Sequence, residues 1–311
     1  MNLVFFKKNI IYVIIGSIVC AASICYLLLV YDWQDVFHSL LNVQYLTLIL
    51  QIWGVHFLYI ILRTSRFFIL VRRFNAKIPF EKLYFINAVV LSLAVLTPGQ
   101  LGEVLKIELL KRQNLLDRLS GFGGFAIERF MDLLVITTIA CLGGFWTDTF
   151  TNRYPVFLFG GGVLFIILLA TFLLTGRKFF YRGLPLRNGS STLWVWGRIF
   201  ILTLLSWGCV IWAWSLILAA AKVHLGMWQV AWLVSLVTVG VILSLMPGGI
   251  GVADMLTVEL LVEMGIMPMM AQGGAILLRF YALILVGFGL IHILGYGFFY
   301  FMKNRRFTNS Y

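Results

Sequence analysis

The chain has 311 residues, of which 61% are hydrophobic and only 12% are charged, and its formal net charge is +12. Soluble domains carry roughly 25% charged residues, and no soluble fold accounts for the charge-free runs at 9–31, 36–62, 83–102, 154–176, 199–221, 223–253 and 280–302. Each run is long enough to cross a hydrocarbon core of about 30 Å as a helix.

The first run, 9–31, is too long for the apolar core of a signal peptide. No small-x-small cleavage site closes it before Tyr31-Asp32, so it reads as a retained first span. Cytoplasmic loops collect Lys and Arg, so Lys7 and Lys8 place the N-terminus inside. Asp32, Asp35 and His38 follow without a basic residue, which places that loop outside. A second span, 42–62, runs into Arg63, Arg66, Arg72, Arg73 and Lys77, expected as a cytoplasmic surface segment that grips headgroups. Residues 80–112 form two apolar pieces broken at Thr97-Pro98-Gly99, and a span at 119–147 leads out to Asp148 and Arg153.

From there a span at 154–176 descends to Arg177, Lys178, Arg182, Arg187 and Arg198. A span at 199–221 rises, and a second broken pair occupies 226–264, split at Met246-Pro247-Gly248. The last span, 269–302, ends at Lys303, Arg305 and Arg306. On this reading 20 of the 24 basic residues are cytoplasmic, Arg153 and Lys222 are outside, and Arg129 and Arg279 sit inside spans. Both termini are expected in the cytoplasm. The positive charge is an orientation signal and a contact for anionic lipid, and no nucleic-acid partner is expected.

Offset by about 150 residues, the sequence matches itself. Leu96-Thr97-Pro98-Gly99-Gln100-Leu101-Gly102 pairs with Leu245-Met246-Pro247-Gly248-Gly249-Ile250-Gly251. Gly123-Gly124, Arg129-Phe130 and Leu133 pair with Gly273-Gly274, Arg279-Phe280 and Leu283. The expected architecture is therefore an all-α polytopic membrane protein of two repeats, 1–153 and 154–311. Each holds three spans and one re-entrant hairpin broken by Pro-Gly. An odd number of passes per repeat makes the two inverted, a recurrent transporter plan.

Proline breaks a helix, and the glycines after it leave backbone N–H groups uncovered. A short half-helix is expected to start at about Gln100 and again at about Gly249. If the hairpins are re-entrant, the positive ends of these half-helices form an anion site, with Pro98, Gly99, Gln100, Gly102, Pro247, Gly248, Gly249 and Gly251 lining it. Arg129 lies beside Glu128 and Asp132 on its own span, so a structural ion pair and a substrate role are both open. Arg279 has no acid nearby in its span. Its partner is a carboxylate such as Asp254 or Glu103, or, as favoured here, a ligand phosphate. Glu103 and Asp254 are acids near a positive helix end, protonatable coupling groups or clamps on an amino group. These four acids outnumber the two arginines, so protonation, mutual pairing, a bound cation or a cationic headgroup is expected to balance them.

Cys20, Cys25, Cys141 and Cys209 all lie in apolar runs, so neither disulfide nor metal is expected. His56 and His292 read as packed side chains. No DDxxD-like acid cluster, HExxH or nucleophile–base pair is present, so no enzyme activity and no cofactor is expected.

The motifs Thr97-Pro98-Gly99-x-x-Gly102-Glu103, Glu128-Arg129-Phe130-x-Asp132-Leu133 and Pro247-Gly248-Gly249-Ile250-Gly251-x-x-Asp254 resemble the transmembrane flippase domain of bacterial lysylphosphatidylglycerol synthases. The resemblance covers nearly the whole chain. It implies a stand-alone flippase of the bacterial inner membrane, moving an anionic or aminoacylated phospholipid or a polyprenyl-phosphate-linked lipid. No soluble transferase domain follows before Tyr311, so lysyl transfer is not expected of the chain alone. A transporter of a small soluble anion and a non-catalytic subunit of envelope biosynthesis remain as alternatives. An oligomer or a biosynthetic partner is left open.

Overall fold

The structure is a computed structural model describing residues 33–34, 40–41, 43–73, 76–97, 102–146, 191–244 and 247–308. The spans expected at 9–31 and 154–176 lie outside the described residues, as do Pro98, Gly99 and Gln100. Among the described residues all regular structure is helical: α1 (Tyr45–Arg73), α2 (Phe80–Ala94), α3 (Leu105–Arg112), α4 (Arg118–Trp146), α5 (Ser191–Ala220), α6 (Met227–Ser244), α7 (Val252–Glu263) and α8 (Pro268–Thr308). A single 3₁₀ turn, Pro247–Gly249, joins α6 to α7.

Among the described residues three helices are long and apolar enough to cross a membrane: Tyr45–Arg73, Trp194–Ala220 and the Pro268–Gly295 part of α8. Helix α4 has 29 residues, but Glu128, Arg129 and Asp132 interrupt its apolar sequence. Helices α2, α6, α3 and α7 have 15, 18, 8 and 12 residues. At 1.5 Å per residue none of these four reaches about 30 Å.

Helix α2 ends at Ala94 and α6 at Ser244, and the helices that follow start later than expected. Residues 102–104 form a 3₁₀ stretch before α3 begins at Leu105, and α7 begins at Val252 behind Gly251. Gly248, Gly249 and Gly251 have φ of 61°, 63° and 84°, the left-handed region that other residues enter only at a cost. Helix α4 starts behind Asp117, whose Oδ2 accepts the Ser120 N–H at 2.9 Å. The hydrogen bonds with Ser120 hold the Asp117 carboxyl below its usual range.

Helix α1 does not stop at residue 62 but runs on without a break to Arg73. Its buried side Ile52, His56, Ile60, Arg63, Phe67, Leu70 keeps the three-to-four-residue spacing of one helix face straight through the arginine. A chain that kept packing after Arg63 had no reason to unwind there.

Helix α5 packs along α1, α8 along α2, α6 against α4, and α7 against both α6 and α8. The largest buried cluster is built from α5, α6, α7 and α8 around Leu218, Leu233, Leu261 and Leu277 and reaches Ile52 of α1. Where α8 crosses α2, a Cβ on Gly289 would stand 2.8 Å from the Ser92 Cβ. Gly289→Val is therefore expected to force these helices apart at a cost of about 1–3 kcal/mol. It should be read as a lower unfolding temperature of the purified protein, and an unchanged temperature would show that the crossing is loose.

Candidate functional site

Two arginines one turn apart on α1 organise the first half. Arg63 donates through Nη1 to Asp132 Oδ2 at 2.6 Å and through Nη2 to both Glu103 oxygens at 2.9 and 3.1 Å. Arg66 donates to Asp132 Oδ1 at 2.7 Å, to Glu128 Oε1 at 3.2 Å and to Thr203 Oγ1 of α5 at 2.9 Å. Lys106 donates to Glu128 Oε2, and its ammonium lies 4.2 Å from the centroid of the Phe67 ring. Arg129 donates through Nη2 to both Glu103 oxygens at 2.7 Å and has Asp132 Oδ2 at 3.3 Å.

These seven side chains are four cations and three carboxylates. Six of them are no more than 5% exposed, while Arg129 is 27% exposed. Buried charge is tolerated only when paired and hydrogen-bonded. Among the described residues pairing here is nearly complete, but one positive charge is left over. Among the described residues the buried Nε atoms of Arg63 and Arg129 have no acceptor. The face of Phe125 lies 5.4 Å from the Arg129 guanidinium.

This arrangement overturns one expectation. Arg63, Arg66 and Lys106, counted as cytoplasmic charges, are 3%, 0% and 1% exposed inside the bundle. With them included, the acids no longer outnumber the bases, so no protonation or cationic ligand is needed to balance Glu103, Glu128 and Asp132.

The second half places a smaller pair at its glycine turn. Arg279 donates through Nε and Nη2 to Asp254 at 2.7 and 2.6 Å, through Nη1 to the Gly248 carbonyl at 2.7 Å and through Nη2 to the Gly249 carbonyl at 2.9 Å. Asp254 in turn accepts the Gly251 N–H at 3.0 Å, capping α7. The carboxylate thus occupies the positive end of the helix that was expected to receive a ligand. For Arg279 the structure supplies Asp254, the partner weighed second to a phosphate. Arg279 is 29% exposed.

The two turns meet. A Cβ on Gly248 would lie 3.7 Å from the Val95 carbonyl oxygen, at the end of α2. Thr97 closes the first turn across its base: Oγ1 donates to the Ala94 carbonyl at 2.7 Å and accepts the Gly102 N–H at 2.8 Å. In each half the intramembrane arginine holds the acid that follows the glycine turn, Arg129 with Glu103 and Arg279 with Asp254.

Of the candidate residues, Gly102, Glu103, Glu128, Arg129 and Asp132 gather at one site, and Gly248, Gly249, Gly251, Asp254 and Arg279 at the other. Only the backbone of Pro247 is described, in the 3₁₀ turn. Pro98, Gly99 and Gln100 lie outside the described residues. Sequence reasoning missed Arg63, Arg66, Lys106 and Thr203 as site members. The signal for the two arginines was their place on the buried stripe of α1. His56 shares a hydrogen bond with Ser92 at 3.1 Å, and His292 shares one with Tyr84 at 3.0 Å. Both histidines pack on Phe288.

No curated protein matches the chain. Its sequence matches the family described as the lysylphosphatidylglycerol synthase TM region over residues 13–289. That stretch contains every side chain of both charged sites. With its apolar helices and this match, the chain belongs to the lysylphosphatidylglycerol synthase transmembrane-region family and is a multi-pass membrane protein with a lipid-related role.

Proposed function

We propose that the chain carries a lipid with an anionic headgroup between the leaflets of a bacterial inner membrane. The observation that carries this reading is the buried cluster with one positive charge in excess, whose least covered member is Arg129. A phosphate crossing hydrocarbon needs its charge paired and hydrogen-bonded throughout. An unbalanced guanidinium beside two touching helix breaks supplies that pairing, while acyl chains stay in the bilayer.

Helices α2, α3 and α7 are too short to cross singly, which supports two re-entrant hairpins entering from opposite faces. The equivalent pairs Arg129–Glu103 and Arg279–Asp254 support the inverted repeat, with 1–153 and 154–311 as its halves. Both termini are then cytoplasmic. Rocking of one half against the other would expose the headgroup to each leaflet in turn. On this reading the chain is not an enzyme.

The test is reconstitution into vesicles containing phosphatidylglycerol labelled on its acyl chain near the headgroup. An impermeant quencher added outside should reach more of the label in protein-containing vesicles than in empty ones. Labelled phosphatidylcholine should move at least tenfold more slowly. Equal rates for the two lipids would remove the anion selectivity, and no acceleration alongside exchange of a soluble phosphate would favour a soluble-anion transporter.

A further inference from the structure

The repeat makes Arg129 and Arg279 look equivalent, but their surroundings are not. Arg279 uses all three of its nitrogens: two reach Asp254 and two reach the carbonyls of a left-handed turn. In the described structure Asp254 pairs with no other cation. Withdrawing Arg279 would leave a carboxylate that is 4% exposed without its counter-charge, and would leave two turn carbonyls without their donor. Buried polar groups stripped of partners are costly. The pair is neutral, closed and fastened to the backbone.

Arg129 is held on one side only. Its Nη2 carries both short bonds to Glu103 and lies 3.3 Å from Asp132 Oδ2, and its Nε has no acceptor among the described residues. Glu103 does not depend on it, because Arg63 donates to both of its oxygens and Lys106 stands 3.9 Å away. If Arg129 turns to another anion, Glu103 stays paired. The cluster that Arg129 leaves then has three cations and three carboxylates, so it is formally neutral. The excess charge of the site is the charge Arg129 carries away.

We infer that Arg129 is the exchange group, trading Glu103 for a phosphate ester, and that Arg279 is a positioning residue that pins the second glycine turn. This rests on the reading of the chain as a lipid carrier and assigns the headgroup contact within it. The neutral remainder of the cluster fits a monoanionic phosphodiester, one charge for the one guanidinium released.

The experiment measures the unfolding temperature of purified protein against rising dihexanoyl phosphatidylglycerol, with dihexanoyl phosphatidylcholine and inorganic phosphate as parallel arms. The parent should be stabilised by the anionic lipid. Arg129→Gln should unfold near the parent temperature without ligand, and should need at least tenfold more anionic lipid for the same shift. Arg279→Gln should unfold at a lower temperature without ligand. Adding Asp254→Asn to it should recover most of that loss and keep the lipid-dependent shift. A parental shift retained in Arg129→Gln would overturn the assignment, and so would a double variant that regains stability yet no longer responds to lipid. A parent stabilised equally by inorganic phosphate, with the shift lost in Arg129→Gln, would leave the assignment standing and overturn the lipid reading instead.

Discussion

Asp132→Asn is expected to be among the most damaging single changes in the chain, costing about 3–5 kcal/mol as the loss of one partner from a buried charge network. Asp132 accepts from Arg63 at 2.6 Å and from Arg66 at 2.7 and 3.2 Å, and Arg129 lies 3.3 Å away. The amide keeps the volume and one acceptor but removes the charge that three guanidinium groups share. Four cations would then face two carboxylates, all but Arg129 sealed from water. The measurement is the yield of folded protein after detergent extraction, followed by its unfolding temperature. Glu108→Gln is the matched comparison, because Glu108 pairs with Arg112 and Arg118 at an exposed end of the bundle. Exposed pairs contribute little, so that variant should unfold with the parent. If Asp132→Asn also unfolds with the parent, the cluster is not a stabilising network.

Gly249→Ala is expected to be nearly as severe, for a different reason. Its φ of 63° costs an L-residue about 1–2 kcal/mol. A Cβ there would also stand 2.7 Å from Cγ2 of Val241, an overpacking of about 1–3 kcal/mol. The two parts separate in a double variant. Val241→Ala should relieve the contact but not the backbone strain, so Gly249→Ala in that background should recover only part of the loss of unfolding temperature. Complete recovery would mean that the left-handed turn is not strained by alanine. Gly54 has open space around it, and Gly54→Ala should not lower the unfolding temperature.

Much of this fold could be read from the sequence because membranes simplify the code. Apolar runs gave α5 and α8, and proline followed by glycine marked the break between α6 and α7. Charges inside an apolar span or just after the Pro-Gly turn pointed to Glu103, Glu128, Arg129 and Asp132, which the fold brings to one place. Arg63 and Arg66 were misread because an arginine at the end of an apolar run is usually where the chain meets water. Only the spacing of their buried neighbours on α1 says otherwise. The partner of Arg279 was ambiguous because Asp254 is 25 residues away, on the far side of the turn at Gly265 between α7 and α8. Sequence distance cannot rank such a partner against a ligand.

The wiring of Arg63 and Arg66 also has a consequence for how the chain is made. Their carboxylates follow them by 40 residues in the case of Glu103 and by 66 to 69 in the case of Asp132. At about 5–20 residues per second, a ribosome needs several seconds to deliver Asp132 after Arg63. Until Glu103 follows, α1 carries two guanidinium groups without their carboxylates, each costing roughly 2.5–3.5 kcal/mol at a helix centre. Their place beyond the middle of the helix lets the long side chains reach for the interface. Helix α1 is therefore synthesised ahead of the carboxylates that balance it, and the pairing of its arginines with carboxylates is complete only after Glu128 and Asp132 of α4 have followed. The arrival of Thr203 on α5, 137 residues after Arg66, completes the last of these bonds. Assembly of the first half is thus finished by a helix of the second.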